Sequence, residues 1–418
     1  MGHLFIAAPI RPEARPVLEV LLARMTLAPG QADPWNRVIP FGRIEGLLFA
    51  RLLILDDPSL PDREGITDLP PDEPVRLALI ADGDGSAQSL LDALVRDARP
   101  GLEALFAHCA GFERHDVHGW LTARRLATAA LYRNQPRLAA RQIREEAALH
   151  RALLAVRRAN PDLATSELAP LLRQAAAKVP LAPLPKVTLA ERLANLGHFL
   201  LLPIAALLLA PLLLVLLPVL AWRLRRRERS DPVIGPRLSR ARNRDLSAIE
   251  DHDLTNQYSA IGTVKPGLFR KVLTIAILWA INWGARHLYA KGRLARVNTI
   301  HAASWTFLDD HRRVFFASNY DGSREAYNDD FINKVAFGLN LSFSNGLGYP
   351  RTDWLIIGGA RREQDFKRYL FHHQIPTQVW FKAVPALTTY DIARNARIRS
   401  GFEANLEGAE LRRWIAEI

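Results

Sequence analysis

The sequence predicts an α+β fold built twice within one chain, with a membrane-seeking helical insert between the halves. Two observations carry that prediction: an internal repeat, and a block of thirty residues between its copies without a charged side chain. Composition sets the frame. The chain has 418 residues, 49% hydrophobic and 23% charged, enough for two or three packed domains. It is not the composition of a disordered, collagenous or disulfide-built protein. A single cysteine, Cys109, supplies neither an internal disulfide nor a cysteine metal site. The net charge of +12 comes almost wholly from arginine, since there are only eight lysines. Such an excess suits an anionic partner, nucleic acid or lipid head groups.

The repeat aligns 77–112 on 314–349 without gaps, and eight of the thirty-six positions are identical. They include Asp84/Asp321, Gly85/Gly322, Ser86/Ser323, Asp92/Asp329, Gly101/Gly338 and Gly111/Gly348. Upstream, 48–57 pairs with 301–310, each ending in Asp-Asp. The connection that follows is longer in the first copy, where 58–74 is acidic and proline-rich, as suits an exposed loop. Each copy reads as a β-rich run, an Asp-Asp turn and a second β-rich run. An Asp-Gly turn, a serine N-cap and a long helix follow. A strand over 4–10 and a helix over 12–25 precede the first copy. A strand over 354–359, a helix over 361–373 and a strand over 377–384 follow the second. Antiparallel sheet with helices on one face is the ferredoxin-like arrangement, and two such units pair as a pseudo-dimer. The expected divisions are a first ferredoxin-like repeat over 1–112, a helical region over 113–190, a membrane-associated insert with a basic flank over 191–292, and a second repeat over 293–418.

The core of the apolar block, 199–222, reads FLLLPIAALLLAPLLLVLLPVLAW. Roughly 20 apolar residues cross a hydrocarbon core, and a buried soluble helix this long seldom lacks a polar face. Pro203, Pro211 and Pro218 each remove a helical hydrogen bond and favour a kink, which keeps a re-entrant course open. Directly after it stand Arg223, Arg225, Arg226, Arg227 and Arg229, then Arg237, Arg240, Arg242 and Arg244. Clustered arginine beside an apolar segment marks the cytoplasmic side and suits anionic lipid head groups. No aromatic interleaving or nucleic-acid motif accompanies the cluster, so membrane lipid is the expected partner and nucleic acid is not. A second stretch, 272–289, is interrupted by Asn282 and Arg286 and carries Trp279, Trp283 and Tyr289, which suits an interfacial helix. The N-terminal residues carry none of the features of an export signal. Two copies that pack together lie on one side of a membrane. Both apolar stretches therefore cross or neither does, and the short second one favours a monotopic anchor.

Several motifs resemble those of uncharacterised bacterial membrane-associated proteins. They are His301-Ala302-Ala303-Ser304-Trp305, Ser318-Asn319-Tyr320-Asp321-Gly322, Gly359-Ala360 and Pro376-Thr377-Gln378-Val379-Trp380. Phe49-Ala50-Arg51 in the first copy, and Asn256-Gln257 with Lys265-Pro266-Gly267 and Arg270, extend the likeness over most of the chain outside the apolar block. The resemblance implies a bacterial membrane-associated protein and brings no established activity with it; together with the arginine flank, the expected location is the bacterial inner membrane with the repeats facing the cytoplasm. At the level of fold the duplicated unit is similar to dimeric α/β-barrel proteins, which include dye-decolourising haem peroxidases. That likeness implies haem with a ligating histidine and a Gly-x-x-Asp-Gly motif. Here Ser318 and Ala81 stand where the first glycine would be.

His301 opens an expected core strand where its repeat partner is Leu48, the pattern of a pocket ligand or proton donor set against that of a structural histidine. Asp321 and Arg51 complete the candidate pocket. His372 and His373 sit at a helix end, where positive charge suits the dipole. His115-x-x-His118 and Glu250-Asp251-His252-Asp253 lack a full ligand set at recognised spacing, so no metal is expected. Phosphate-loop, dinucleotide, nucleophile-elbow and zincin motifs are absent. Three readings of different class follow. One is a membrane-associated protein binding an apolar or lipid-like ligand between the repeats. The second is a haem-dependent oxidoreductase using His301, Asp321 and Arg51. The third is a non-catalytic accessory subunit that docks on partner membrane helices or self-associates.

Overall fold

The computed structural model describes residues 2–66, 69–70, 72–232, 234–235, 239–249, 253–289, 292–404 and 406–418. The chain is a mixed α+β protein whose two main sheets each hold four antiparallel strands. The first sheet takes β1 (Gly2–Pro9), β2 (Leu47–Leu55) and β3 (Arg76–Gly83) from the N-terminal part. The second takes β4 (Thr128–Arg133), β5 (Thr255–Thr263), β6 (Ile300–Leu308) and β7 (Arg313–Asp321). The last strand, β8 (Val379–Lys382), returns to the first sheet. The orders are β1-β3-β2-β8 and β4-β6-β7-β5. Each sheet is thus closed at one edge by a strand from the other part of the chain: β8 pairs with β2, and β4 with β6.

Positions matched between the two aligned segments share local detail. Helix α1 (Arg15–Ala23) follows β1, and α2 (Ala87–Phe106) follows β3. Ser86 caps α2 by accepting from the Ser89 N–H at 3.1 Å. In the second part, Ser323 caps the corresponding long helix (Arg324–Phe343) by accepting from the Ala326 N–H at 3.1 Å. Gly85 and Gly322 before those caps have φ of +76° and +86°, which glycine adopts without a Cβ penalty. Both helices break at the same repeat position, Ala98 (φ −140°, ψ 23°) and Val335 (φ −140°, ψ 25°). Pro100 accounts for the first break. The second has no proline.

Two elements fall where the sequence suggested otherwise. Thr255–Thr263, inside the expected insert, is an edge strand of the second sheet. Thr128–Arg133, inside the expected helical region, is the opposite edge. By contrast 354–359 forms no core strand: Thr352–Asp353 and Ile357–Gly358 make only a short hairpin. Short helix α3 (Val117–Ala123) precedes β4, and α4 (Ala140–Ala159) and α5 (Thr165–Ala176) follow it.

Apolar residues fill three layers. Leu4, Leu52, Leu79, Leu94 and Leu102 pack under α1 and α2 on the outer face of the first sheet. Phe5, Leu53, Leu55 and Ile80 meet Ile261, Phe315 and Ala317 between the sheets, with Phe5 and Phe315 edge to face at 5.2 Å. Tyr258, Trp305, Phe316 and Phe331 form the third layer, outside the second sheet.

Helix α6 (Leu189–Ser230) is 42 residues long, and its most apolar window is 0% buried. It follows a Thr188 cap that accepts from the Glu191 N–H at 3.1 Å. After α7 (Arg240–Ile249) and β5 comes α8 (Leu268–His287), whose Thr274, Leu278 and Ala285 are buried while Leu268, Val272, Ile275 and Trp279 form an exposed stripe. Both helices are long and apolar enough to cross a membrane, and the long exposed one is a feature of membrane-associated chains. Helices α9 (Arg324–Phe343), α10 (Glu363–His373), α11 (Thr389–Glu403) and α12 (Gly408–Glu417) complete the chain.

Both ends of α6 rest on the body. At one end Phe199 stacks on Trp283 of α8 at 5.5 Å, His198 meets His287 at 2.7 Å, and Arg286 donates to Asn195 at 3.0 Å. At the other, Arg223 lies over Phe269 at 5.6 Å, and buried Glu228 accepts from the backbone N–H groups of Trp354 (3.0 Å) and Leu355 (2.8 Å). Trp354 and Leu355 hold φ of 57° and 64°, a costly conformation for non-glycine residues. Between Phe199 and Arg223, α6 covers about 36 Å of helix, against about 21 Å of α8 between Trp283 and Phe269. The three prolines fall within that stretch.

Candidate functional site

His301 and Asp321 come together. His301 sits at a register shift in β6 between Ile300 and Ala302, and its repeat partner Leu48 sits at the equivalent shift in β2. A bulge re-aims the side chain that it carries. Here it brings His301 Nε2 within 2.6 Å of Asp321 Oδ1. Asp321 Oδ2 accepts from the Thr389 N–H at 2.7 Å and the Thr389 hydroxyl at 2.8 Å. Burial alone would raise the Asp321 pKa, but bonds from His301 and Thr389 hold it below the usual carboxylate range. The repeat partner Asp84 accepts from the Ala140 N–H at 2.7 Å. Ala140 opens α4 and Thr389 opens α11, so each of these aspartates ties down a helix that follows an edge strand.

Arg51 lies apart from this pair, in the layer between the sheets. Its guanidinium donates to the Tyr258 carbonyl at 3.0 Å, the Ser259 hydroxyl at 2.8 Å, the Ser318 carbonyl at 3.2 Å and the Asn319 side chain. It also lies over the Trp380 ring at 5.1 Å. Burial lowers its pKa to about 10, so the group stays charged near neutrality and pins one sheet to the other.

A cavity of about 30 Å³ adjoins His301, lined also by Leu48, Asp82, Arg133, Thr389 and the equivalent isoleucines Ile143 and Ile392. That is room on the order of one water molecule. The residues do not fit haem: His301 Nε2 is bonded to Asp321, the adjoining space is far too small for a macrocycle, and Arg51 is enclosed between the sheets. The remaining histidines are separate. His372 Nε2 is 2.8 Å from Asp62 Oδ2, His373 Nδ1 donates to the Tyr369 carbonyl at 2.8 Å, and His118 pairs with Asp92 at 2.8 Å while His115 is exposed. Residues 250–252 lie outside the described residues. Among the described residues no three His, Cys, Asp or Glu side chains gather as metal ligands. Cys109 is buried, and its thiol pKa is pushed up to about 12 by that burial, which makes it unreactive.

The basic flank divides. Arg225 pairs with Glu228 and with Asp353 at 2.7 Å, and so serves the body. Arg223, Arg226, Arg227 and Arg229 are exposed. Trp283 is half-buried under Phe199, and Trp279 stands in the exposed stripe of α8.

An apolar space near these residues lies outside the second sheet. It has a volume of about 340 Å³ and is walled by Tyr132, Ala303, Trp305 and Phe316 from the sheet, Ile281, Trp283 and Leu288 from α8, and Phe331, Phe337 and Phe343 from α9. Leu202 of α6 closes its rim, and none of its lining residues is charged. The equivalent positions in the first half, Leu52, Leu79 and Leu94, are fully buried leucines where the second half has Trp305, Phe316 and Phe331. Setting the two copies side by side would have revealed that replacement of leucine by aromatic residues. No family model, curated protein or solved structure matches the chain.

Proposed function

We propose that the chain is a monotopic membrane protein that takes an apolar, lipid-like ligand from the bilayer into the cavity beneath α8 and α9. The observation that carries this reading is the cavity itself: uncharged, aromatic-walled, and touched at its rim by the exposed apolar helix. Pockets that hold small apolar ligands start at roughly this volume. The ligand site lies on the outer face of the second sheet, because Arg51 and the interlocked apolar side chains fill the layer between sheets.

The same reading treats the two halves as copies of one β-α-β-β-α-β unit, paired as a pseudo-dimer with their fourth strands exchanged. Identical strand orders, paired bulges, paired helix breaks and the two capping aspartates support it. Helix α6 lies along the membrane plane, since both its ends rest on a helix whose other face packs on the sheet. The exposed stripe of α8 extends that apolar face, and the four exposed arginines at its end suit the anionic head groups of a cytoplasmic leaflet.

Lipid extraction of the full-length protein, purified in detergent and followed by mass spectrometry, tests the proposal. One apolar species enriched over bulk membrane lipid is expected, and Ala303→Phe, which fills the cavity, abolishes the enrichment. Recovery of bulk lipid alone, unchanged in the variant, would count against it.

A further inference from the structure

On the cavity walls the Tyr132 hydroxyl and the Trp305 indole N–H lack a well-formed hydrogen bond among the described residues, and the hydroxyl has the Asn134 side chain as its neighbour, which leaves the indole as the group open to a ligand. Trp305, only 6% exposed, walls the cavity from the second sheet, and its indole Nε1 has no hydrogen-bond acceptor among the described residues. An N–H buried in that state costs about 1–3 kcal/mol relative to one that is bonded. Two other polar groups on the walls are committed: Tyr258 donates to the Leu370 carbonyl at 3.0 Å, and Ser342 to the Gly338 carbonyl at 2.8 Å. Nothing among the lining residues balances a formal charge.

Resting on the reading of this cavity as a ligand site, we infer that its ligand is an uncharged lipid whose apolar chain carries a carbonyl acceptor, read by the Trp305 N–H. An ester or a quinone meets that description. A free carboxylate or a phosphate does not, because its charge would be buried without a counter-ion. A plain hydrocarbon fills the space and leaves the indole unpaired. Leu202 at the rim and the neighbouring α8 residues give such a ligand an apolar route from the bilayer, with no polar barrier to cross.

Three probes of one chain length separate these cases: methyl dodecanoate, dodecanoate at pH 8, and dodecane. Each is partitioned between detergent micelles with and without the full-length protein. The wild type is expected to bind the ester roughly tenfold tighter than the hydrocarbon, with the carboxylate weakest, the size of one buried hydrogen bond. Trp305→Phe keeps the aromatic wall, lowers ester binding to the level of dodecane and leaves dodecane unchanged. Phe343→Leu alters the wall but not the donor, so the preference for the ester persists. Equal binding of ester and hydrocarbon by the wild type, or an ester preference that survives Trp305→Phe, would overturn the inference and leave the apolar cavity standing. Binding of none of the three by the wild type would overturn the cavity reading as well.

Discussion

Asp321 joins four groups that sit far apart in sequence: His301, Thr389 twice over, and Thr255, whose hydroxyl donates at 3.2 Å. Removing its carboxylate strands a buried histidine and the first N–H of α11. Asp321→Ala is therefore expected to cost about 3 kcal/mol in chemical denaturation, while Asp84→Ala, with one cap bond, costs about 1 kcal/mol. Similar losses for the two would contradict this account of Asp321. His373 makes a separate prediction. Burial pulls its pKa from the ordinary 6.5 down to about 4, so the unfolded chain takes up a proton there more readily than the folded one. Its neutral form contributes stability fully above pH 6.5, and the contribution is lost as pH falls toward about 4. His373→Leu is expected to flatten that part of the stability–pH curve. His301 was legible as an oddity against Leu48 and Asp321 as a candidate pocket residue, but the direct bond between them was not legible, since the bulge that joins them leaves no mark in composition.

Among the elements, α6 announces itself in the sequence because nothing but length and apolarity defines it. What the sequence hides is how it is held. Glu228 reads as one acid in an arginine run, yet it is buried and receives two backbone N–H groups from a loop in a left-handed conformation. Glu228→Ala removes about 2 kcal/mol of charge-assisted bonding, and trypsin should cut within Arg223–Arg229 roughly thirtyfold faster. An unchanged rate would show that the helix end is held by other contacts. The exposed middle of α6 makes the converse prediction. Leu208→Lys with Val215→Lys should lower flotation on phosphatidylcholine–phosphatidylglycerol vesicles, by about 2 kcal/mol per charge, without moving the thermal midpoint in detergent. Strand β5 escaped the sequence reading because TNQYSAIGT shows no alternation. Its polar residues are buried against Arg51 and Thr377 rather than facing water, so the usual period-two signal is erased.

For the whole molecule, β8 on β2 and β4 on β6 tie early and late parts of the chain together, and such long-range pairing has no local sequence signature. The Asp-Asp turns and the arginines that open the next strands add an ionic clamp at one end. Arg313 bonds Asp309 at 2.5 Å and approaches Asp57 at 3.6 Å, while Arg76 also reaches Asp309. Removing one member of so buried a set, as in Asp309→Ala, is expected to cost about 3–5 kcal/mol and to lower the single unfolding transition of both halves together. Two separate transitions would contradict a body tied together by those strand pairings. The mixed α+β class was readable from the sequence through its β-rich runs and capped helices. The apolar cavity was not, because it depends on how α8 and α9 stand over the second sheet.

The most direct measurement is photolabelling of the membrane-bound, full-length protein with a neutral lipid ester bearing a diazirine near its carbonyl, followed by peptide mapping. The account predicts labelled residues around Trp305 and Phe316 in the sheet and around Phe337 in α9, all reduced by Ala303→Phe. Labelling confined to α6 and the outer stripe of α8, with none on the sheet face, would contradict it.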